Sequence, residues 1–319
     1  MSGKNVLLTG ASSFTGFWFA KELINSGFEL FCPLPHDYEQ YFGVKKQRLD
    51  SISDVATLVF NCPFGTNEFI ELCKNQYYGM GFHGFYMENY NNRNYKISSS
   101  LSQNLKNIES ILEILQENRT RIIYSSSIFE NAINIEEDNN ESTSIDWYNY
   151  AFSKKVTFLA LRSLCEQYGL SCQRFVITNP FGPYEDSKFC FHLMNSIFKK
   201  DDFFIKTPFY TRDMIQVNLL AKLYANAFLD ENDKNIDELR PSQYSMKIFE
   251  FAELFISEIS KYCGYKINII KKDQNAFNEP EILINNIDYK RYNCAHEEEE
   301  SWREYFYYYK NSLSKNEYH

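Results

Sequence analysis

The chain has 319 residues, 44% of them hydrophobic, and a formal net charge of −9. It is long enough to bury a large core as one big domain or two interleaved ones. No apolar run approaches the roughly 18 residues of a membrane span, and an acidic balance without a basic stripe argues against nucleic acid as a partner.

The opening Met1-Ser-Gly-Lys-Asn5 runs straight into an apolar stretch, so no signal peptide is expected. The eight cysteines (Cys32, Cys62, Cys73, Cys165, Cys172, Cys190, Cys263, Cys294) form no Cys-x-x-Cys and no Cys/His cluster. Reduced thiols, no metal site and a cytoplasmic location are therefore expected. Aromatic residues reach 17% while Gly is scarce, a bias with no functional reading of its own.

In chain order, Asn5-Val-Leu-Leu-Thr-Gly10 reads as a short apolar strand and Gly10-Ala-Ser-Ser-Phe-Thr-Gly16 as a small-residue turn. Phe17 to Gly27 then has helical apolar spacing and a Gly stop. Strand, turn and helix make the context of a dinucleotide-binding turn. Gly10 permits the tight turn, Gly16 permits close helix–strand packing, and the helix N-terminus offers N–H groups to a pyrophosphate. Ser13 stands where the usual fingerprint has its middle glycine, and a turn without a ligand is the alternative.

Further strands are expected at Phe28–Pro33, Gln47–Asp50, Ala56–Phe60, Arg121–Ser127 and Gln173–Thr178. Helices are expected at Asn104–Gln116, from Leu105, Ile108, Ile111, Leu112 and Leu115, and at Tyr150–Tyr168, ended by Gly169. This alternation predicts an α/β fold, a doubly wound parallel sheet covered on both faces, with ligands at the carboxyl ends of the strands. Residues 62–102, rich in Asn, Tyr and Gly, are read as a partly structured insertion over the site. Glu297–Glu300 is expected to open a solvated C-terminal helix, where acids suit the dipole.

Tyr150 and Lys154 are four residues apart and share one helix face. A phenol, with a pKa of about 10, is a poor proton-transfer group at neutral pH. A neighbouring ammonium would lower that value and make an acid/base for oxidising an alcohol or reducing a ketone. The same spacing also occurs on plain solvated helix faces, so the pair draws its meaning from the segments around it.

Five segments in order resemble the extended short-chain dehydrogenase/reductase family, which contains nucleotide-sugar epimerases, dehydratases and reductases. They are Thr9-Gly-Ala-Ser-Ser-Phe-Thr-Gly16, Tyr124-Ser-Ser-Ser127, Tyr150-Ala-Phe-Ser-Lys154, Asn179-Pro-Phe-Gly-Pro-Tyr184 and Arg212-Asp-Met-Ile-Gln-Val217. The resemblance covers most of the chain and is weakest over about 62–103 and beyond 270. It implies a Rossmann-type dinucleotide-binding domain over 1–178 and a smaller, partly interleaved α/β substrate region over 179–319.

The same resemblance implies site roles. Tyr150 is the catalytic acid/base, and Lys154 holds the nicotinamide ribose and lowers the Tyr pKa. Ser127 bonds the reacting oxygen, with Ser126 the substrate-touching fallback one residue earlier; Ser127 as a strand-end hydroxyl bonded to local backbone is the alternative. Gly10, Ser12, Ser13, Phe14, Thr15 and Gly16 line the coenzyme, with Asp50 near the adenine edge and Asn104 as the family's helix asparagine. Asp50 as a turn former and Asn104 as an N-cap remain open.

Asn179 and Arg212 touch the diphosphate of a sugar nucleotide, where a guanidinium fork matches phosphate oxygens. The chain departs from the family at Gln216, often His, and at Val176, often Arg. The end of the second strand carries Leu34 and Pro35 instead of a ribose-binding acid, with His36, Lys45, Lys46 and Arg48 the nearest positive charges. This tilts the coenzyme, NAD(P), towards NADP.

In the family's 4,6-dehydratases an acidic pair directly follows the hydroxyl residue; here Ile128-Phe129 follows Ser127 and Glu130 lies one position too far. The expectation is a reductase of a 4-keto nucleotide sugar in surface polysaccharide synthesis, with a nucleotide-sugar 4-epimerase as the alternative. A non-catalytic dinucleotide-binding regulator is a third reading, and Ser127, Tyr150 and Lys154 argue against it. The resemblance also implies a homodimer through paired helices, with Val156, Leu159 and Ala160 on the face concerned and Ser163 interrupting it.

Overall fold

The computed structural model describes residues 4–90, 94–133, 145–229, 237–274, 276–285, 287–292 and 294–314. The chain divides into two compact units, one of 1–177 and 221–240, the other of 178–220 and 241–319.

The first unit alternates strand and helix from its start: β1 Lys4–Leu8, α1 Phe14–Asn25, β2 Phe28–Pro33, α2 Gly43–Asp50, β3 Thr57–Val59, α3 Asn67–Cys73 and β4 Gly79–Phe82. There follow α4 Ile97–Asn104, α5 Ile108–Glu117, β5 Arg121–Ser127, α6 Ile145–Gln167 and β6 Cys172–Ile177. The second unit begins with β7 Asn179–Phe181, α7 Phe189–Lys199, β8 Phe203–Ile205 and β9 Thr211–Gln216. Helix α8, Val217–Leu229, crosses the division after Leu220, and β10 Glu238–Leu239 belongs to the first unit. The rest of the second unit is β11 Pro241–Ser242, β12 Tyr244–Lys247, α9 Ile248–Cys263, β13 Ile269–Lys271, β14 Ile282–Leu283, β15 Ile287–Asp288 and α10 Glu298–Ser314.

Among the described residues the first unit's seven strands form one sheet in the order β3-β2-β1-β4-β5-β6-β10, every pair parallel. The order reverses between β1 and β4, and in doubly wound sheets ligands bind in the crevice outside such a switch point. The expected Rossmann-type α/β architecture is the one observed.

Strand β4 lies at the centre of the sheet, inside the stretch read from sequence as an insertion over the site. That reading is corrected: residues 62–102 supply α3, β4 and most of α4 to the unit itself. The sequence pattern hid β4 because Gly79 and Gly81 show no side-chain alternation. Neither has room for a side chain as packed, since a Cβ would lie 2.5 Å from the Phe228 ring at Gly79, and 2.5 Å from Leu8 Cδ1 and 2.6 Å from the Tyr224 hydroxyl at Gly81.

Gln47–Asp50 is not a strand but the last turn of α2, whose Leu49 turns into a small core with Leu34 and Tyr41. Asn104 does not open a helix either. It closes α4, and α5 starts after Asn107, a residue in the left-handed region at φ 51°. The long α6 starts five residues before the expected Tyr150 and ends before Gly169 at φ +64°. No described helix is long and apolar enough to cross a membrane, and all eight cysteines are free thiols.

The second unit centres on β9, which pairs antiparallel with β12 and parallel with β7 and β14. Its core is aromatic: Phe181, Phe251, Phe255, Trp302 and Tyr305 interlock, with ring centroids 5.1–6.3 Å apart. The acidic first turn of α10, Glu298–Glu300, faces the dipole as expected, but the helix is not merely solvated. It buries Trp302, Tyr305, Phe306 and Tyr309.

Tyr305 and Tyr309 both donate to Glu185 Oε1. Burial pushes the Glu185 carboxyl from its ordinary 4.5 up to about 8. The native state therefore keeps a proton between these values that the unfolded chain releases, and stability falls as pH rises across that window. The slope for one such group is at most about 1.4 kcal/mol per pH unit. Glu185→Gln is expected to flatten the stability profile between pH about 5 and about 8, measured by denaturant unfolding at a series of pH values.

Candidate functional site

The turn after β1 is built on two close approaches. Gly10 has φ +78°, and a Cβ there would sit 2.8 Å from the Gly84 backbone just past β4; at Gly16 it would sit 2.1 Å from Gly10 O. Ser13 is the N-cap of α1: its Oγ donates to Gly10 O at 2.8 Å and accepts from Gly16 N at 3.1 Å. The residue standing in place of the middle glycine thus folds its side chain back inside the turn. Ser13 O accepts from Phe17 N at 2.9 Å. The N–H groups of Phe14 and Thr15 fall in the first turn, where a helix provides no internal acceptor. Such a terminus suits a pyrophosphate, so these residues fit a dinucleotide.

His83, just past β4, was not singled out in the sequence, and the glycine-masked strand before it explains why. Thr9 Oγ1 accepts from the backbone N of His83 at 2.9 Å and of Gly84 at 2.8 Å, pinning the ends of β1 and β4 together. The imidazole Nε2 lies 3.0 Å from both Ser13 Oγ and Thr15 Oγ1. Burial, with Lys154 nearby, pushes its pKa down to about 3, so the ring is neutral.

Around this turn, Arg48 reaches from α2 to give Nη1 to Ser12 O at 3.1 Å and is buried. Asp50 is exposed at the end of α2 and accepts from the Tyr38 hydroxyl at 2.7 Å. At the end of β2, Leu34 is buried, and the first acid beyond it, exposed Asp37, accepts from Asn61 Nδ2. Asn104 is buried: its Oδ1 accepts from Tyr86 N at 3.0 Å and its Nδ2 donates to Ser100 O at 2.7 Å. It clamps the segment after His83 to α4.

Strand alternation divides the three serines of β5. The Tyr124 hydroxyl donates to Lys154 O at 3.0 Å, so Tyr124, and with it Ser126, points to the face covered by α6. Ser126 Oγ accepts from Arg174 Nε at 2.8 Å on that face. Ser127 Oγ instead accepts from Phe129 N at 3.4 Å and caps a short 3-10 turn over 128–132.

Tyr150 sits in an aromatic cage, its ring edge-on to Phe85, Tyr90 and Tyr95 with centroids 5.5–6.1 Å away. Lys154 is buried with its ammonium 4.4 Å from the Phe85 ring centroid and 4.9 Å from that of Tyr124, and Nζ donates to Ser125 O at 2.7 Å. Burial pushes the ammonium down to about 8.

The sequence expectation that Lys154 lowers the Tyr150 pKa is corrected. Burial first, then Glu130, Tyr95 and Tyr90, push the phenol well above its ordinary value. The ammonium donates to the Ser125 carbonyl, and the carboxylate that acts on the phenol is Glu130, which is fully buried. In the sequence Glu130 was weighed only as a dehydratase acid and set aside. Its position three residues after a strand-end serine is the capping-box signal that locates it: Ser127 N donates to Glu130 Oε1 at 2.8 Å.

Asn179 and Arg212 lie on neighbouring strands of the second unit, where Asn179 Nδ2 donates to Asp213 O at 3.2 Å. The Arg212 fork donates to Thr211 O, Pro280 O and Glu281 O at 3.0–3.1 Å and to Glu279 at 2.9 Å. Gln216 carries the His296 imidazole on its Oε1, 2.5 Å from Nε2. Tyr150 and Lys154 of the first unit thus share the Phe85 ring, two residues past His83, while Asn179 and Arg212 lie on neighbouring strands of the second.

A parallel sheet with a glycine turn at its switch point is the architecture of a dinucleotide-binding α/β protein. Residues 6–234 match the NAD dependent epimerase/dehydratase family, and the chain belongs to that family. Among curated proteins none matches the sequence.

Solved structures share the fold. UDP-glucuronic acid 4-epimerase from Bacillus cereus is 15% identical at a TM-score of 0.71, covering 96% of this chain and 99% of that one. UDP-N-acetylglucosamine 4-epimerase from Methanobrevibacter ruminantium is 19% identical at 0.70, covering 98% and 100%. The dTDP-glucose 4,6-dehydratase DesIV from Streptomyces venezuelae is 12% identical at 0.66, covering 98% of each chain.

The close approach at Gly16 gives a direct test of the turn. Gly16→Ala is expected to weaken NADH binding by about tenfold or more, or about 1.4 kcal/mol, in a fluorescence titration of a cooperatively folded protein. Unchanged affinity would remove the coenzyme from this turn.

Proposed function

We propose that the chain is an NAD(P)H-dependent reductase of a 4-keto nucleotide-diphosphate sugar. The observation that carries this reading is the Tyr150 phenol, caged by Phe85, Tyr90 and Tyr95 one helical turn before the buried Lys154, whose ammonium lies over the same Phe85 ring. A neutral phenol is a proton donor, and ketone reduction needs one at the oxygen that becomes a hydroxyl. The bound coenzyme supplies hydride. Tyr150 gives its proton to the carbonyl oxygen, and the Ser126 hydroxyl donates a hydrogen bond to the same atom; Ser127 is the second candidate for that role. Lys154 keeps a buried positive charge beside the phenol and offers its remaining N–H groups to the coenzyme ribose. Gly10, Ser12, Ser13, Phe14, Thr15 and Gly16 take the pyrophosphate, with Asp50 near the adenine edge and Asn104 supporting the site through the backbone of Tyr86.

The residues after Ser126 are Ser127-Ile128, and those after Ser127 are Ile128-Phe129. Neither pair has a side chain to take a proton from the carbon next to the carbonyl, so elimination of water is not supported. The absence of a carboxylate at the end of β2 and the approach of Arg48 to Ser12 favour NADP over NAD. Asn179 and Arg212 would bind the diphosphate, whose oxygens would replace the part-exposed Glu279 on the Arg212 fork. We also propose cytoplasmic work in polysaccharide synthesis and a homodimer through α6, where Leu159 is exposed. Leu159→Arg is then expected to halve the mass seen by light scattering.

A 4-epimerase, using the same residues to oxidise and re-reduce C4, is the second reading, favoured by the UDP-sugar 4-epimerases among the structures of this fold. The two separate in one assay. With NADPH and a 4-keto nucleotide sugar prepared by a dehydratase, the reduced-nicotinamide absorbance is expected to fall in step with product. NADPH should act faster than NADH, and Tyr150→Phe should cost about 10²–10⁴-fold in kcat. Interconversion of UDP-glucose or UDP-N-acetylglucosamine with its C4 epimer, with no net coenzyme consumed, would sink the reductase in favour of the epimerase.

A further inference from the structure

Under β5, on the face that carries Ser126, the first unit holds a part-buried ionic cluster around the fully buried Glu130. Arg174 on β6 is the register partner of Tyr124, and its guanidinium lies 5.4 Å from the Phe158 ring centroid of α6. Its Nε donates to Ser126 Oγ at 2.8 Å, its Nη1 to Glu238 at 2.6 Å, and its Nη2 to Glu130 at 3.1 Å and Asn131 at 3.3 Å. The second Glu130 oxygen accepts from Ser127 N at 2.8 Å. Two carboxylates therefore hold the planar fork in one orientation, which the single point of a lysine ammonium would not reproduce.

A hydroxyl has one proton to give and two lone pairs. At Ser126 a cationic N–H takes a lone pair, and no acceptor for the hydroxyl's own proton occurs among the described residues. A charged donor on the oxygen also polarises the O–H bond and strengthens it as a donor. Buried ion pairs give little net stability compared with apolar side chains of the same volume. Stability alone therefore does not account for the fully buried Glu130 carboxylate beneath Ser126.

The geometry points to Arg174 as a positioning residue that, held by Glu130 and Glu238, fixes the Ser126 hydroxyl as a hydrogen-bond donor to the reacting oxygen beside Tyr150. This rests on the oxidoreductase reading of the Tyr150 site. Arg174 touches neither substrate nor coenzyme in this role; it acts through Ser126. Glu130 has a second effect in the same place, since its carboxylate opposes formation of the Tyr150 phenolate and keeps the proton on the phenol.

The test is a double-mutant cycle in the NADPH and 4-keto nucleotide sugar assay, or in the epimerase assay if that is the activity found. Arg174→Lys is expected to lower kcat about tenfold or more, with both KM values within about twofold of wild type. In a Ser126→Ala background the same change is expected to alter kcat by less than about twofold. Because Arg174→Lys can leave Glu130 short of a partner, Arg174→Met combined with Glu130→Gln removes both charges together. It should show the same dependence on Ser126 and a cooperative melt.

An equal loss of kcat in both backgrounds, or a loss confined to KM, overturns the proposal. Tyr150→Phe separates it from its foundation: if Tyr150→Phe is inactive while Arg174 and Ser126 act independently, only the positioning role falls. If Tyr150→Phe is fully active, or wild type turns over no sugar nucleotide, the oxidoreductase reading falls and takes this proposal with it.

Discussion

The first unit depends on how closely the start of α1 lies against the end of β1. With 2.1 Å between Gly10 O and the place where a Gly16 Cβ would stand, no other residue fits at 16 without moving the helix. That contact lets Ser13 close the turn from inside, brings Thr15 and Ser13 within reach of His83, and so couples the turn to β4. Thr9 completes the tie through two backbone amides. The switch point of the sheet is therefore a cross-linked polar knot, and the first-turn amides of α1 are presented from a rigid base.

Beside that knot, the groups on the α6 face have opposite electrostatic assignments. Burial acts in opposite directions on an acid and a base. It holds the Tyr150 phenol protonated and makes the Lys154 ammonium easier to discharge, to about 8. Glu130 reinforces the first effect and opposes the second, because a carboxylate repels a phenolate and attracts an ammonium. One buried carboxylate thus favours the protonated form of both members of the pair. Arg174 opposes Glu130 at Lys154 and keeps the cluster's charge in balance.

Much of this was legible in the sequence, and the failures have physical causes. β5 and β2 lie where their β-branched and aromatic runs place them, and Gly10 to Gly16 forms the expected turn, because close packing leaves those positions little choice. β4 was invisible because its two glycines exist to admit Phe228 and Tyr224, a reason that lies in a helix some 140 residues further on. Gln47–Asp50 was misread because its one apolar side chain, Leu49, gives no period. The relation of Ser126 to Ser127 could not be settled without the register of β5. Nor could the spacing of Tyr150 and Lys154 reveal that the ammonium turns to a backbone carbonyl. The fork of Arg212 looked available for phosphate, and three carbonyls together with Glu279 occupy it in the second unit.

The aromatic excess that carried no functional message has an optical one. The chain has three tryptophans: Trp18 and Trp147 in the first unit, and Trp302 at the heart of the aromatic core of the second. Trp18 belongs to the helix that rises from the dinucleotide turn. Trp302 is ringed by Phe181, Phe255 and Tyr244 and donates its indole N–H to the Tyr244 hydroxyl at 3.3 Å. Each unit therefore carries native fluorophores in distinct environments, so a single excitation reports on two structures, and replacing Trp302 leaves the signal of the first unit to be read alone.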